Sequence, residues 1–191
     1  LAWRERPAGG RLVAALAARL GGFQLAPGYR SELNLQQALW IADLPRFIGR
    51  GVAFLFDYGG SRAERYHPQQ DDGSLRCYWR HRLHDDVLWM PGLQDITASV
   101  DFTHVAEAAV DAGLTVAGYT TQAGFLLANG IEQALQAAMA ADPSAALRLA
   151  AQARMLLLPS EMGTRFKAMA LGIGGEVVLP GFGLRDERHQ L

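Results

Sequence analysis

Five consecutive apolar residues, Val52-Ala53-Phe54-Leu55-Phe56, stand between Gly51 and Asp57 and restrict the fold more than any other segment. Unbroken apolarity over the length of a strand, bounded by turn residues, suits a parallel strand covered on both faces. Such a strand needs helices above and below it, and the flanking sequence supplies them. Ser31 can cap a helix whose apolar positions Leu35, Ala38, Leu39 and Ala42 follow i, i+3, i+4, i+7, with Pro45 weakening its last turn. Asp101 can cap a second helix with the face Phe102, Val105, Ala106, Ala109 and Val110, closed by Gly113. Leu114 to Gly118 reads as another strand. Helices are expected from Gln122 to Asn129, from Ile131 to Ala141, and from the Asp142 cap and Pro143 to about Leu158. With Phe166 to Leu171 as a last strand, the order is that of an α/β fold.

Three stretches are less regular. Residues 1–30 are punctuated by Gly and Pro, and Leu12 to Leu20 fits a helix by composition and a strand-like insert by context. Tyr58 to Val100 is polar, rich in Gly, Asp, Arg and His, and without a sustained period; an ordered loop of that length is usually functional. The tail from Gly172 onward carries many glycines, ends in Arg185-Asp186-Glu187-Arg188-His189, and is expected to be mobile. The chain therefore divides into 1–50, an insert and helix preceding the sheet; 51–171, the sheet-bearing part; and 172–191, the tail. It opens on Leu1-Ala2-Trp3 rather than on methionine, and we expect it to be trimmed at its front.

Composition excludes several function classes. Half of the 191 residues are hydrophobic and 19% are charged, with a formal charge of -1, so no general basic field exists for nucleic acid or acidic lipid. No apolar run approaches the roughly 20 residues of a membrane-spanning helix. Cys77 is the only cysteine, which rules out an internal disulfide and a CxxC pair and suits a buried thiol in a reducing compartment.

Four constellations carry candidate chemistry. Asp57-Tyr58-Gly59-Gly60 follows the apolar strand, and ligands of open α/β sheets bind beyond strand carboxyl ends; Asp-Gly turns also end strands without any function. His81 and His84 are three apart beside Asp85 and Asp86, but no further Cys or His has a supporting spacing, so we expect no metal. His81, close to Tyr78, is better read as a substrate-loop residue able to exchange a proton, or as a surface histidine. Asp95 and Thr97 are not needed by the Pro91-Gly92 turn or by the Asp101 cap. They could face a pocket or fasten the long loop to the domain. Thr120-Thr121-Gln122 follows the second strand and could face the same crevice or cap the next helix. No GxGxxG opens a helix after a strand, and neither a GxxxxGK[ST] loop nor a GxSxG elbow occurs.

Taken in order, Trp3-Arg4-Glu5-Arg6, Gly51 through Asp57-Tyr58-Gly59, Gly73-Ser74-Leu75 with Tyr78 and His81, Pro91-Gly92 with Asp95-Ile96-Thr97 and Val100-Asp101-Phe102, Gln122 with Phe125-Leu126, and Met162-Gly163 with Phe166-Lys167 resemble the MidA-like family of S-adenosylmethionine-dependent methyltransferases. The likeness runs to about Leu171; Ser74 departs from the family's usual threonine. It implies the later part of a Rossmann-like methyltransferase sheet, strands five to seven, with helices and a long inserted loop. It also implies a protein-arginine methyltransferase of the complex I assembly type, with a protein substrate such as a respiratory-complex subunit, in the bacterial cytoplasm or in the eukaryotic mitochondrion.

The family's donor-binding glycine loop, ribose-binding acid and Asn-Glu-Phe-type segment have no match here. S-adenosylmethionine is thus expected in the full-length parent, none for this chain alone, and no cofactor-contacting residue is assigned. A guanidinium acceptor has a pKa above about 12 and needs carboxylates to orient it and take up its proton. Asp57, Asp95 and His81 are the candidate catalytic residues, and Tyr58, Gly59, Tyr78, Thr97, Asp101 and Gln122 the candidate substrate-binding ones, Asp101 being discounted for its cap. The alternative is a protein-binding assembly module without catalysis; a hydrolase using Asp57 and His81 lacks a nucleophile motif. The open edge of the Val52–Phe56 strand is a template for a homodimer.

Overall fold

The computed structural model describes all 191 residues. In chain order its elements are α1 (Gly10–Leu20), α2 (Gln37–Phe47), β1 (Gly51–Gly60), the short α3 (Arg62–Arg65), β2 (Arg76–Trp79), β3 (Arg82–His84), β4 (Asp95–Thr97), β5 (Val100–Asp101) and α4 (Phe102–Asp111). They continue as β6 (Thr115–Thr121), α5 (Gln122–Ala128), α6 (Ile131–Ala141), α7 (Ala146–Leu157) and β7 (Phe166–Ile173). The main sheet has the order β5-β1-β7-β6.

The apolar run forms a strand as expected, but its direction relative to its neighbour corrects the sequence reading. β1 runs antiparallel to β7 from Gly51 opposite Ile173 to Tyr58 opposite Phe166. Only Gly59 and Gly60 pair in parallel, with Val100 and Asp101. Unbroken apolarity reports what covers the faces and is silent on the direction of the partner. One face of β1 presents Ala53 and Leu55 to the core of Ile41, Phe102, Val105, Tyr119, Met169 and Leu171. The other presents Val52 to Ala168, Ala170 and Phe182, while Phe54 and Phe56 make edge contacts with Phe125. Beyond β5, the edge of β1 from Gly51 to Tyr58 has no strand partner, and there Phe54 and Phe56 remain 45% and 49% exposed.

Local rules account for most helix boundaries. The Asp101 carboxylate accepts the His104 N–H at 2.9 Å and starts α4, and Gly113 beyond its end takes φ +74°. Asp142 caps a short 3-10 turn with Pro143 at its start before α7. The Ser31 cap is corrected: Asn34 Oδ1 accepts from the N–H groups of Gln36 and Gln37, and α2 begins at Gln37. The cap position itself is Gln36, which makes no side-chain cap bond, and the Asn34 side chain shapes the turn before it. The undecided Leu12–Leu20 stretch is helix, within α1.

Two further readings change. Tyr58 to Val100 is not one loop; it holds α3 and a second antiparallel sheet of order β3-β2-β4. Strands of three or four residues are too short to display a period. Nor is 172–191 a free tail. β7 continues to Ile173, Gly181 and Phe182 are buried, the Glu187 N–H donates to Tyr119 O at 2.7 Å, and the Arg188 guanidinium donates to Val116 O at 2.9 Å. The backbone of β6 thus holds the segment down.

Candidate functional site

Two depressions meet at the carboxyl end of β1. The first is an apolar groove of about 450 Å³ along the unpaired edge, between Trp40 of α2, Phe54 to Asp57 of β1, and Phe102 and Val105 of α4. Asn34, Gln36 and Gln37 give it a polar rim. The second is a polar cleft of about 1020 Å³, bounded by Tyr58 to Gly60, by Glu64 and Arg65, by Gln69 to Ser74, by Arg76, Tyr78 and Leu83 of the small sheet, and by Thr164 to Lys167 entering β7. Asp57 lines the groove and its neighbour Tyr58 lines the cleft.

Both residues are perturbed. Burial pushes the Asp57 carboxyl above the usual range, although it accepts the Tyr58 N–H at 2.8 Å. A carboxyl so placed is a better proton acceptor than a solvated one. Burial also raises the Tyr58 phenol to about 12, helped by the negative charge of Asp57, so it stays protonated. Its ring packs edge-on against Phe166 at 5.8 Å, while its hydroxyl is buried without a hydrogen-bond partner. An orphaned polar atom of this kind is costly and calls for a ligand or a functional reason.

The cleft wall is held by an ionic clamp. Glu32, upstream of α2, accepts from the Arg65 guanidinium at 2.8 Å, from the Ser74 and Leu75 N–H groups at 3.1 Å each, and from the Ser74 hydroxyl at 3.0 Å. Burial opposes ionisation, yet these bonds hold the Glu32 carboxyl below its ordinary value. Ser74 in turn receives Arg65 and the Ser99 N–H, which ties both ends of the small sheet to α3. On that sheet Tyr78 lies opposite Asp95 and Leu83, and Arg76 opposite Thr97, so Asp95 and Thr97 share a face with Arg76, Tyr78 and Leu83, the three that line the cleft. The reverse face is closed by buried Cys77 and by Trp79 and His84 packed against Trp89.

The remaining sequence candidates lie elsewhere. His81 occupies the tip of the two-residue turn between β2 and β3, at φ +63° beside Arg80 at φ +50°; it is exposed and lines neither depression. Asp101 is buried as the cap of α4, 3.6 Å from Arg62 Nε. Gln122 is buried, and its side-chain amide donates to Leu156 O at 3.0 Å. No three His, Cys, Asp or Glu side chains gather as metal ligands. Residues the sequence reading did not single out for this site are Glu32, Arg65, Ser74, Arg165 and Lys167. Only the Ser61-x-x-Glu64 capping box, present in the structure and heading α3, was written in a recognisable spacing.

The sequence profile of S-adenosyl-L-methionine-dependent methyltransferases matches residues 3–120. The chain belongs to this family. The relatives include Protein arginine methyltransferase NDUFAF7, mitochondrial, of Danio rerio, 36% identical over 118 residues, which are 61% of this chain and 26% of that one. The Homo sapiens protein of the same name is 33% identical over 123 residues, 63% of this chain and 26% of its own. A Burkholderia thailandensis protein crystallised with S-adenosyl-homocysteine superposes with a TM-score of 0.87 at 39% identity, covering 92% of this chain and 45% of that chain. The chain therefore spans about a quarter of the length of those arginine methyltransferases and just under half of the solved relative.

Three glycines of the main sheet show how closely its strands are packed. A Cβ at Gly59 would meet the Val100 backbone, one at Gly60 the Glu64 side chain, and one at Gly118 the Phe182 ring. At these three positions the protein's own atoms fill the space beside the backbone.

Proposed function

We propose that this chain is the acceptor-binding part of a methyltransferase acting on protein arginine, with S-adenosylmethionine held by other parts of the full-length protein. The observation that carries the reading is the pairing of Asp57, a carboxyl raised by burial, with Tyr58, a buried phenol lacking a partner, at the point where groove and cleft meet. In this reading a polypeptide lies in the polar cleft with a guanidinium near the Tyr58 and Tyr78 rings, where the negative faces of the aromatics favour a cation. Asp95 and Thr97 orient its N–H groups from the small sheet. Asp57, where groove and cleft adjoin, takes the proton that the guanidinium nitrogen releases as it is methylated.

The test uses the full-length protein with isotopically labelled methyl donor and two peptides that differ only in carrying arginine or lysine. Label on the arginine peptide alone is the expected result. Label on neither peptide, with both still bound, favours an assembly module without catalysis. The same reading gives the unpaired β1 edge a partner strand: from the rest of the protein in the full-length form, from a second copy in the isolated chain. Light scattering of the isolated chain as a strict monomer at high concentration counts against the second pairing.

A further inference from the structure

Lys167 is the only lysine among eighteen Lys and Arg residues, and it lies inside a strand rather than on the surface. In β7 it stands opposite Asp57 of β1 and Thr121 of β6, and its side chain is 8% exposed. A buried ammonium has three donors and is costly unless paired. Asp57, opposite it on the same face, makes no ion pair with it, and Glu64, 3.9 Å away, is half exposed and already accepts the Ser61 N–H at 2.8 Å. The other cations of the cleft divide into two kinds. Arg65 is held by Glu32 and Ser74, and Arg76 by Leu75 O and, more loosely, Asp85. Arg165, two residues before Lys167, lines the cleft without an ion pair. Lys167 and Arg165 are thus the cleft cations with donors to spare.

We propose that Lys167 and Arg165 form an oxyanion subsite of the cleft, and that it takes the carboxylate of an acidic side chain close to the acceptor residue in an extended polypeptide. The inference rests on the acceptor-side reading and adds a sequence preference to it. A cleft of about 1020 Å³ is at the upper limit for small-molecule pockets, so a free inorganic anion would leave most of it unfilled, whereas a peptide spans it. Water exclusion around the buried lysine stem strengthens its pairing with an anion.

Because the chain has one lysine, the Lys167 side-chain resonance is a single NMR reporter. The probes are acetyl-Gly-Arg-Gly-Glu-Gly-amide, its Gln counterpart, and inorganic phosphate, each titrated into the chain. The Glu peptide is expected to shift the Lys167 signal saturably and to bind about tenfold tighter than the Gln peptide, the size of one well-placed charge-assisted contact. Lys167→Met should cut that advantage to within about twofold, Lys167→Arg should retain it, and Arg165→Gln should lessen it with the thermal midpoint unchanged. Equal binding of the two peptides, absence of a saturable shift, or phosphate binding as tightly as the Glu peptide overturns the proposal. Loss of the preference with arginine methylation intact removes the subsite alone. A preserved preference without methyl transfer removes the chemistry alone.

Discussion

Replacing Glu32 by Ala should destabilise the domain by about 3 kcal/mol, taken from the low end of the range for breaking a buried ion pair because water reaches this one. The Arg65 side chain is only 4% exposed and would lose its carboxylate, while Glu32 itself is 26% exposed. The Ser74 and Leu75 N–H groups would lose their acceptor as well. For a domain of this size that loss lowers Tm by about 6–12 °C. Glu32→Gln keeps an acceptor but not the charge, and should cost about half as much. The sign of the pH dependence follows from the lowered folded pKa. The contribution of Glu32 is complete above the unfolded carboxylate value near 4.3 and disappears as pH falls through the folded one. Urea unfolding of wild type and Glu32→Ala should therefore give curves that are far apart at neutral pH and converge in acid. Hydrogen exchange should place the loosening in β2 to β4, whose ends the clamp holds. A loss under about 1 kcal/mol at neutral pH, or a difference that persists in acid, refutes the clamp.

Three other perturbations test separate parts of the structure. His104 is held neutral by burial and by Arg19, against Asp101 and Glu107, with Arg62 adding to Arg19. Its folded pKa lies below 6.5, so the unfolded state binds the extra proton and stability should fall as pH drops below 6.5; His104→Gln should flatten that slope in thermal melts. Gly118→Ala puts a methyl into the Phe182 ring and should cost about 1–3 kcal/mol in urea unfolding, with the 180–188 segment released first. Asp101→Ala removes the α4 cap and the only carboxylate beside Arg62 Nε, and should cost about 2 kcal/mol or more by chemical denaturation. An effect on methyl transfer without that loss of stability would make Asp101 a site residue instead.

The parts of the fold that were legible in the sequence are those written in a local code. The Asp101 cap, the Ile131–Ala141 helix and the strand between Gly51 and Asp57 each depend on neighbours a few residues away. Direction and partnership are set by distant chain, so the apolar run suggests a parallel strand although β7, more than a hundred residues later, pairs with β1 antiparallel. The small sheet leaves no period in the sequence because its strands are short, and its register depends on the Arg80-His81 turn, whose positive φ values fall on residues that do not advertise them. At the site, Asp57, Tyr58 and Tyr78 could be picked from strand-end and loop positions. Glu32 and Lys167 could not, since their partners lie 33 residues away or more, or across the sheet. The isolated position of Lys167 among arginines was the one available signal. His81 sits on a turn that carries it away from both depressions.

The rate of arginine methylation by Asp57→Asn in the full-length protein bears most directly on the acceptor-side assignment. Asn preserves the shape and the Tyr58 N–H bond but cannot take a proton, so kcat should fall by about 100-fold or more, with KM and the melting temperature little changed. A variant that transfers methyl groups at the wild-type rate would mean that the proton leaves by another route and that the end of β1 is not where the acceptor reacts.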